Sequence, residues 1–234
     1  MSSSCSRCCD EKCASKVPIF FGLSQEDLKR VVSLIVRKEY EKDEILVLKG
    51  SNLEGLIIVS KGRVKAFRDT LEGREQILYI FSEGDFFGEK NLLQNRDVTY
   101  TVQALEKTHI CMIKKVDFHQ LFRTNPDIGL KVLQELCNRL YHLENALESI
   151  GSRSVEARIN SVLLDFAHKF GQTHPQGIMI ELPLSREGIA NYIGLTRETV
   201  SRKMSLLQEE GIIKMVGHKK VIILNKEALD QPVI

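Results

Sequence analysis

The stretch S-R-E-G-I-A-N-Y-I-G-L-T-R-E-T-V-S-R-K, Ser185 to Lys203, decides how this chain is read. Ser185 is a good helix N-cap, because its hydroxyl accepts from an otherwise orphaned backbone N–H of the first turn. Ile189, Ala190 and Ile193 then share one face of the helix it opens. Gly194 supplies the left-handed residue that ends this helix and lets the chain turn sharply. A second helix starts near Thr196 and runs through Val200, Met204 and Leu207, which leaves Arg197, Glu198, Ser201 and Arg202 on its other face. Those side chains suit base edges: Arg pairs bidentately with guanine, Glu accepts from the cytosine amino group, and Ser adapts to either. An ordinary helical hairpin with a charged, solvated face is the bland alternative, and the tight turn counts against it. The residues after the second helix weaken it further. Gly211 ends that helix, and I-I-K-M-V-G-H-K-K-V-I-I-L (Ile212–Leu224) alternates as a hairpin around Gly217 and His218, a basic wing behind a reader helix.

At 234 residues the chain is long enough for two domains of ordinary size. Its net charge is only +2, so there is no basic tail and any affinity for DNA must come from a local patch. No apolar run reaches the ~18 residues needed to cross a bilayer, and the N-terminus lacks a signal-peptide core. A soluble, cytoplasmic protein with no membrane partner is expected. Six cysteines in such a chain argue for a metal or redox role rather than a disulfide scaffold.

Between about Pro18 and Phe122 the chain reads as short strands punctuated by glycine. Ile57–Phe67 reads as a hairpin turning at Lys61-Gly62, and Leu71–Phe81 as an alternating run entered through Gly73. Tyr100–Leu105 and His109–Ile113 close the set, and many short strands with regular turn signals predict a jelly-roll barrel. A long helix then begins after N-P-D (Asn125–Asp127), where Pro126 suits the first helical turn. Leu133, Leu136, Leu140, Leu143, Leu147 and Ile150 recur three and four apart, the seam of a two-stranded coiled coil over about three heptads. A lone amphipathic helix packed on its own barrel is the alternative. The strict 3-4 alternation favours a partner helix, and a two-fold DNA-binding dimer needs such an axis. Gly151 is expected to end the helix, with G-S-R-S as the hinge to the helix-turn-helix region, and Cys137, beside the seam, to be a small buried apolar residue.

The N-terminus, M-S-S-S-C-S-R-C-C-D-E-K-C, holds Cys5, Cys8, Cys9 and Cys13, and nothing in its composition folds alone. Thiolates this close repel one another unless a metal or cluster neutralises them or they oxidise. C-x2-C with another Cys close behind is spacing that wraps an iron–sulfur cluster or a zinc ion, and three nearby thiolates still need a fourth ligand.

The order barrel, long helix, winged helix-turn-helix resembles the CRP/FNR family of bacterial transcription regulators over nearly the whole chain. G-D-F-F-G-E (Gly84–Glu89) is similar to the family's most recognisable barrel segment, and E-x-x-S-R, here Glu198, Ser201 and Arg202, to the recognition helix of its FNR-like branch. The resemblance implies an α+β chain: a sensor segment at 1–17, a cyclic-nucleotide-binding-like β jelly roll at 18–124, a dimerisation helix at 125–151 and a winged helix-turn-helix at 152–234. It implies a homodimer that binds double-stranded DNA at a palindrome of TTGAT-like half-sites and works with RNA polymerase. Arg202 and Glu198 would lie on the G·C pair, Ser201 on a neighbouring thymine, and Arg197 on the same face.

The same resemblance bears on ligands. In nucleotide-binding members a Gly-Glu pair meets the ribose, and Arg with Ser or Thr after it binds the cyclic phosphate. Gly88 and Glu89 are present, but Val98 and Thr99 stand where the Arg-Ser/Thr pair belongs; a short gap would be needed to bring in Arg96, which Asp97 follows. A nucleotide-responsive regulator is therefore the weaker alternative. H-I-C-M-I resembles the strand on which oxygen-sensing FNR proteins carry their fourth cysteine, and V-P-I-F the segment after their N-terminal cysteine group. By that match Cys5, Cys8, Cys13 and Cys111 hold a [4Fe–4S] cluster. The spacing departs from the usual C-x2-C-x5-C, being C-x2-C-x4-C with Cys9 as an extra ligand choice beside Cys8. Some FNR-like regulators of lactic-acid bacteria pair an N-terminal Cys with the barrel Cys instead, here Cys13 or Cys5 with Cys111; zinc on the same residues is a third option and a functionless tail a fourth.

An enzyme is not expected. C-x2-C as a redox dithiol normally opens a helix after a strand in a thioredoxin-like fold, a context missing here, and there is no Ser/His/Asp arrangement, phosphate-cradling loop or H-E-x-x-H.

Overall fold

The computed structural model describes residues 17–94, 96–152 and 154–230, the side chains of 142 and 145–152 excepted. Two compact units result, one made of the residues up to Thr70 together with Ile77–Arg139, the other of Leu71–Gln76 and the residues from Leu140.

The first unit opens with a single 3-10 turn, Pro18–Phe20, and helix α1 (Gln25–Leu34), whose N-cap Ser24 accepts from Asp27 N at 3.1 Å. Strands β1 (Ile35–Tyr40), β2 (Ile45–Val47), β3 (Gly55–Lys61), β4 (Val64–Asp69), β5 (Glu75–Phe81) and β6 (Phe86–Phe87) come next. Then come α2 (Glu89–Gln94), β7 (Thr101–Ala104), β8 (Thr108–Lys114), α3 (Lys115–Thr124) and α4 (Pro126–Ser152), which belongs to this unit up to Arg139. The strands form two four-stranded sheets, β1-β8-β3-β6 and β2-β7-β4-β5. Val47, Ile57, Val59, Val64, Ala66, Phe81, Phe87, Val102 and Ile110 fill the space between them. This is the expected β roll.

Alternation gives the first sheet a second apolar face. Leu56 and Ile58 of β3, Phe86 of β6 and Ile113 of β8 point away from the roll, and Ile19, Phe20, Leu28, Val31, Phe118, Leu121, Ile128 and Val132 cover them. Strand β8 is thus apolar on both sides, with Ile110 inward and Ile113 outward, as a central strand between two cores must be.

Three expectations need correction. The turn at Lys61-Gly62 exists, with Gly62 at φ 89°, but β3 and β4 lie in different sheets, so it is a corner and not a hairpin. Both runs send apolar residues into the same inter-sheet core, so their alternation is blind to whether they pair. The corner also sits hard against the start of β8: a Cβ on Gly62 would lie 2.7 Å from Lys107 O. Next, α4 runs through Gly151 to Ser152, so this glycine does not end it. Finally, Cys137 is exposed in the single chain, not buried.

In the second unit α5 (Val155–Phe170) is capped by Ser154, which accepts from Ala157 N at 3.2 Å. After it come β9 (Gly171–His174), β10 (Gly177–Glu181), α6 (Arg186–Ile193), α7 (Arg197–Glu209), β11 (Ile213–Val216), β12 (Lys220–Ile223) and α8 (Lys226–Asp230). The four strands form one antiparallel sheet in the order β11-β12-β10-β9. The β9–β10 hairpin carries a turn signal, Pro175-Gln176-Gly177, that the reading of the wing alone passes over.

Candidate nucleic-acid interface and sensor face

Helices α6 and α7 form the turn that the sequence predicts. Ser185 Oγ accepts from Gly188 N at 3.1 Å, and Gly194 caps α6 at φ 69°, ψ 40° with its N–H on Ala190 O. Thr196 Oγ1 then accepts from Thr199 N at 3.3 Å to open α7. Val200, Met204 and Leu207 are buried and fix the rotation of α7, which leaves Arg197, Glu198 and Arg202 exposed and Ser201 half-exposed on the outer face. Lys203, on the flank of α7, reaches Glu156 of α5 at 2.8 Å and ties the reader helix to its support. Lys214, His218, Lys219 and Lys220 are all exposed on the wing. The surface therefore carries charged and polar side chains on a fixed helix with cations beside them, the arrangement that a basic patch on a near-neutral chain requires.

Helix α4 shows two apolar faces. Ile128 and Val132 are buried against the first sheet, with Leu136 packed on the same cluster. On the other side Leu133 and Leu140 are each 56% exposed, with Leu130 and Tyr141 exposed beside them, and Leu143, one heptad past Leu136, is exposed as well. Cys137 stands between Leu133 and Leu140 on that stripe. Of the predicted seam, Leu133, Leu140 and Leu143 are thus exposed in the single chain, Leu136 packs on the chain's own core, and the side chains of Leu147 and Ile150 lie outside the described residues. Leu130 and Tyr141 are additions that fall outside the strict three-four spacing of the seam.

In the Gly88-Glu89 segment, Glu89 is engaged within the chain. Arg139 of α4 lies 3.4 Å from Glu89 Oε2, donates to Phe86 O at 2.6 Å and stacks over the rings of Phe81 and Phe86. Val98 is buried, Thr99 and Arg96 are exposed, and the Thr99 carbonyl accepts from Arg68. Burial, with Glu89 second, pushes the neighbouring Tyr79 and Tyr100 hydroxyls up, so both stay neutral.

Cys111 lies at the centre of the outer face of the first sheet. It pairs with Arg37 of β1 on one side and Ile58 of β3 on the other, and it packs on the cluster that holds Val17, Ile19 and Phe20. Cys5, Cys8, Cys9 and Cys13 lie outside the described residues. Among the described residues no three His, Cys, Asp or Glu side chains come together as a metal site.

Residues 37–125 match the family model for a cyclic nucleotide-binding domain, and residues 157–231 that for a Crp-like helix-turn-helix domain. The probable transcriptional regulator flp of Lacticaseibacillus casei is 31% identical over 218 residues, 93% of this chain and 96% of that protein. The chain belongs to the CRP/FNR family of transcription regulators. The fumarate and nitrate reduction regulatory protein of Yersinia pestis is 27% identical over 224 residues, 95% of this chain and 89% of that one. The solved structure of FixK2 from Bradyrhizobium japonicum superposes with a TM-score of 0.74 at 25% identity, covering 84% of this chain and 96% of that one. As a CRP/FNR protein the chain is a DNA-binding transcription regulator and not an enzyme. Its helix-turn-helix is the family's DNA-binding element, and among the described residues no helix is long and apolar enough to cross a membrane.

Proposed function

We propose that the protein is a redox- and oxygen-responsive regulator that binds a TTGAT-type palindrome as a homodimer. In this reading Arg202 and Glu198 meet the G·C pair, Ser201 the adjacent thymine, and Arg197 lies beside them. The exposed Leu133, Leu140 and Leu143 meet their counterparts in a second copy, and the heptad spacing of the sequence extends the seam to Leu147 and Ile150. RNA polymerase is the partner at the promoter, and the cytoplasm the compartment.

The sensor is Cys5, Cys8 and Cys13 joined to Cys111, holding a [4Fe–4S] cluster. The observation that carries this is the neighbourhood of Cys111. It shares a face with Val17, Ile19 and Phe20, and Cys13 stands four residues before Val17, a reach of roughly 14 Å at most in extended chain. The donor set fits as well: thiolates are the ligands such clusters take, and the enclosed Nε–H of Arg37, across from Cys111, has no hydrogen-bond partner among the described residues. When bound, the cluster supplies an oxidisable link. Cys111 and the Val17–Phe20 contacts would then pin the N-terminal segment to the outer face, against which Ile128 and Val132 of α4 also pack. Pinning biases how α4 meets its partner, and so the ~34 Å spacing of two reader helices on one DNA face. A difference of a few kcal/mol between the two states suffices.

A second reading keeps the same residues without a cluster: Cys13 or Cys5 forms a disulfide with Cys111. It is favoured by the same proximity and by the similarity to a lactic-acid bacterial regulator. Iron, sulfide and absorbance on protein purified without oxygen decide between them. About four irons and four sulfides per chain, with a band near roughly 400 nm that air bleaches, are expected of the cluster. No metal, with an air-induced bond from Cys111 to Cys5 or Cys13, establishes the switch; zinc establishes a structural site.

A further inference from the structure

Arg37 is the residue directly opposite Cys111 in the β1–β8 register, and in an antiparallel pair such side chains lie on one face with Cβ atoms ~4.5–5.5 Å apart. Ile58 flanks Cys111 on its other side, so the row reads Arg37, Cys111, Ile58, a guanidinium and a thiol among apolar neighbours. The Nε of Arg37 is fully enclosed and has no hydrogen-bond partner among the described residues. The nearest carboxylate on its strand face, Glu39, stands 3.3 Å from His109 Nδ1 and 3.8 Å from Lys107 Nζ, and no ion pair joins it to Arg37 among the described contacts. An enclosed N–H without an acceptor is costly and calls for one, and the residue across the strand pair is Cys111, whose sulfur becomes a strong acceptor only when it is ionised.

We propose that Arg37 is a positioning and tuning residue for the sensor: its Nε–H donates to the Cys111 sulfur when that sulfur is an anionic cluster ligand. The inference rests on the cluster reading. Hydrogen bonds to ligand sulfurs help set the potential of such centres. A cation and an N–H beside the sulfur favour the more negative, reduced state, so removing them lowers the midpoint potential and makes the centre easier to oxidise. The role asks nothing of the fold beyond what β1 already does, which is to hold the edge of the sheet.

The test uses the full chain loaded without oxygen, comparing wild type, Arg37→Gln, Arg37→Lys and Lys38→Gln. Lys38 is an exposed neighbour on the opposite face of β1, so its variant removes one charge without touching the sulfur. Iron and sulfide content, midpoint potential and the rate of bleaching in air are measured for each. Arg37→Gln is expected to hold wild-type iron and sulfide, titrate at a more negative potential and bleach severalfold faster, while Lys38→Gln behaves as wild type. Arg37→Lys, which keeps the charge and moves the N–H, falls between, and serves as the reading should Arg37→Gln not load. A loaded Arg37 variant with wild-type potential and bleaching overturns the inference, even if its thermal stability falls, because a structural role alone would do that. A wild-type chain without iron and sulfide overturns the cluster reading itself.

Discussion

Arg139 closes on Glu89 at 3.4 Å with side chains only 14% and 8% exposed, so the carboxylate of the Gly-Glu segment is neutralised from within the chain. The same guanidinium donates to Phe86 O and contacts Glu135 one helical turn back. A buried pair is worth less as a source of stability than its geometry suggests, but removing one partner leaves a charge stranded. Arg139→Ala is expected to cost about 3–5 kcal/mol in chemical denaturation, and Arg139→Ala with Glu89→Gln appreciably less than the sum of the two. Additive losses would show that the two groups do not meet.

The same pair bears on ligands. With Glu89 engaged by Arg139 and Val98 buried, cyclic AMP and cyclic GMP are expected to give no heat of binding by calorimetry and no gain in DNA affinity. A saturable heat with either nucleotide would restore the nucleotide-responsive alternative.

The two faces of α4 separate assembly from folding. Leu140→Glu, on the open stripe, is expected to shift the protein from dimer to monomer in sedimentation while leaving the unfolding midpoint of the β roll in place. Leu136→Ala, on the packed side, should instead cost about 2 kcal/mol of stability at unchanged dimer affinity. Reversed outcomes would exchange the two faces.

At the reader helix, Arg202→Ala is expected to cost ~1–3 kcal/mol in binding to a TTGAT palindrome at matched salt and to relax the preference at one base pair. A control at Lys219, exposed on the wing, should weaken all sequences alike and flatten the salt dependence.

Gly194 holds α6 and α7 in their turn with φ at 69°. No atom lies within 4 Å of a Cβ placed there, so Gly194→Ala meets only the backbone penalty of the left-handed region, about 1–2 kcal/mol of stability. A neutral result in thermal denaturation would mean that the turn relaxes.

The second unit is legible because each of its local signals is independent of distant contacts. Ser185, Gly194 and Thr196 cap helices by their own hydroxyls and torsions, and Val200, Met204 and Leu207 repeat at helical spacing. Features that depend on partners far along the chain escape the sequence. Gly62 marks a turn in either case, and only the pairing of β3 with β8 and β4 with β7 makes it a corner between sheets. Leu136 fits a coiled-coil seam as well as Leu133 does until Phe20, Ile58 and Phe118 gather into a cluster that takes it. Gly151 looks like a stop, yet intrahelical hydrogen bonding carries α4 one residue past it to Ser152. The face around Cys111 is legible only in part: Cys111 stands out by type, whereas Arg37, 74 positions earlier, becomes its neighbour through strand register alone.

If Cys111 couples oxidation to DNA binding, the coupling is tested most directly by titrating a TTGAT-palindrome duplex with wild type and Cys111→Ser. Each is purified without oxygen and measured before and after exposure to air at fixed salt. The cluster sensor predicts tight binding by anaerobic wild type, a loss of roughly tenfold or more in air, about 1.4 kcal/mol per factor of ten, and no response to air from Cys111→Ser. Equal affinity of wild type before and after air, or an air response that survives in Cys111→Ser, would contradict it.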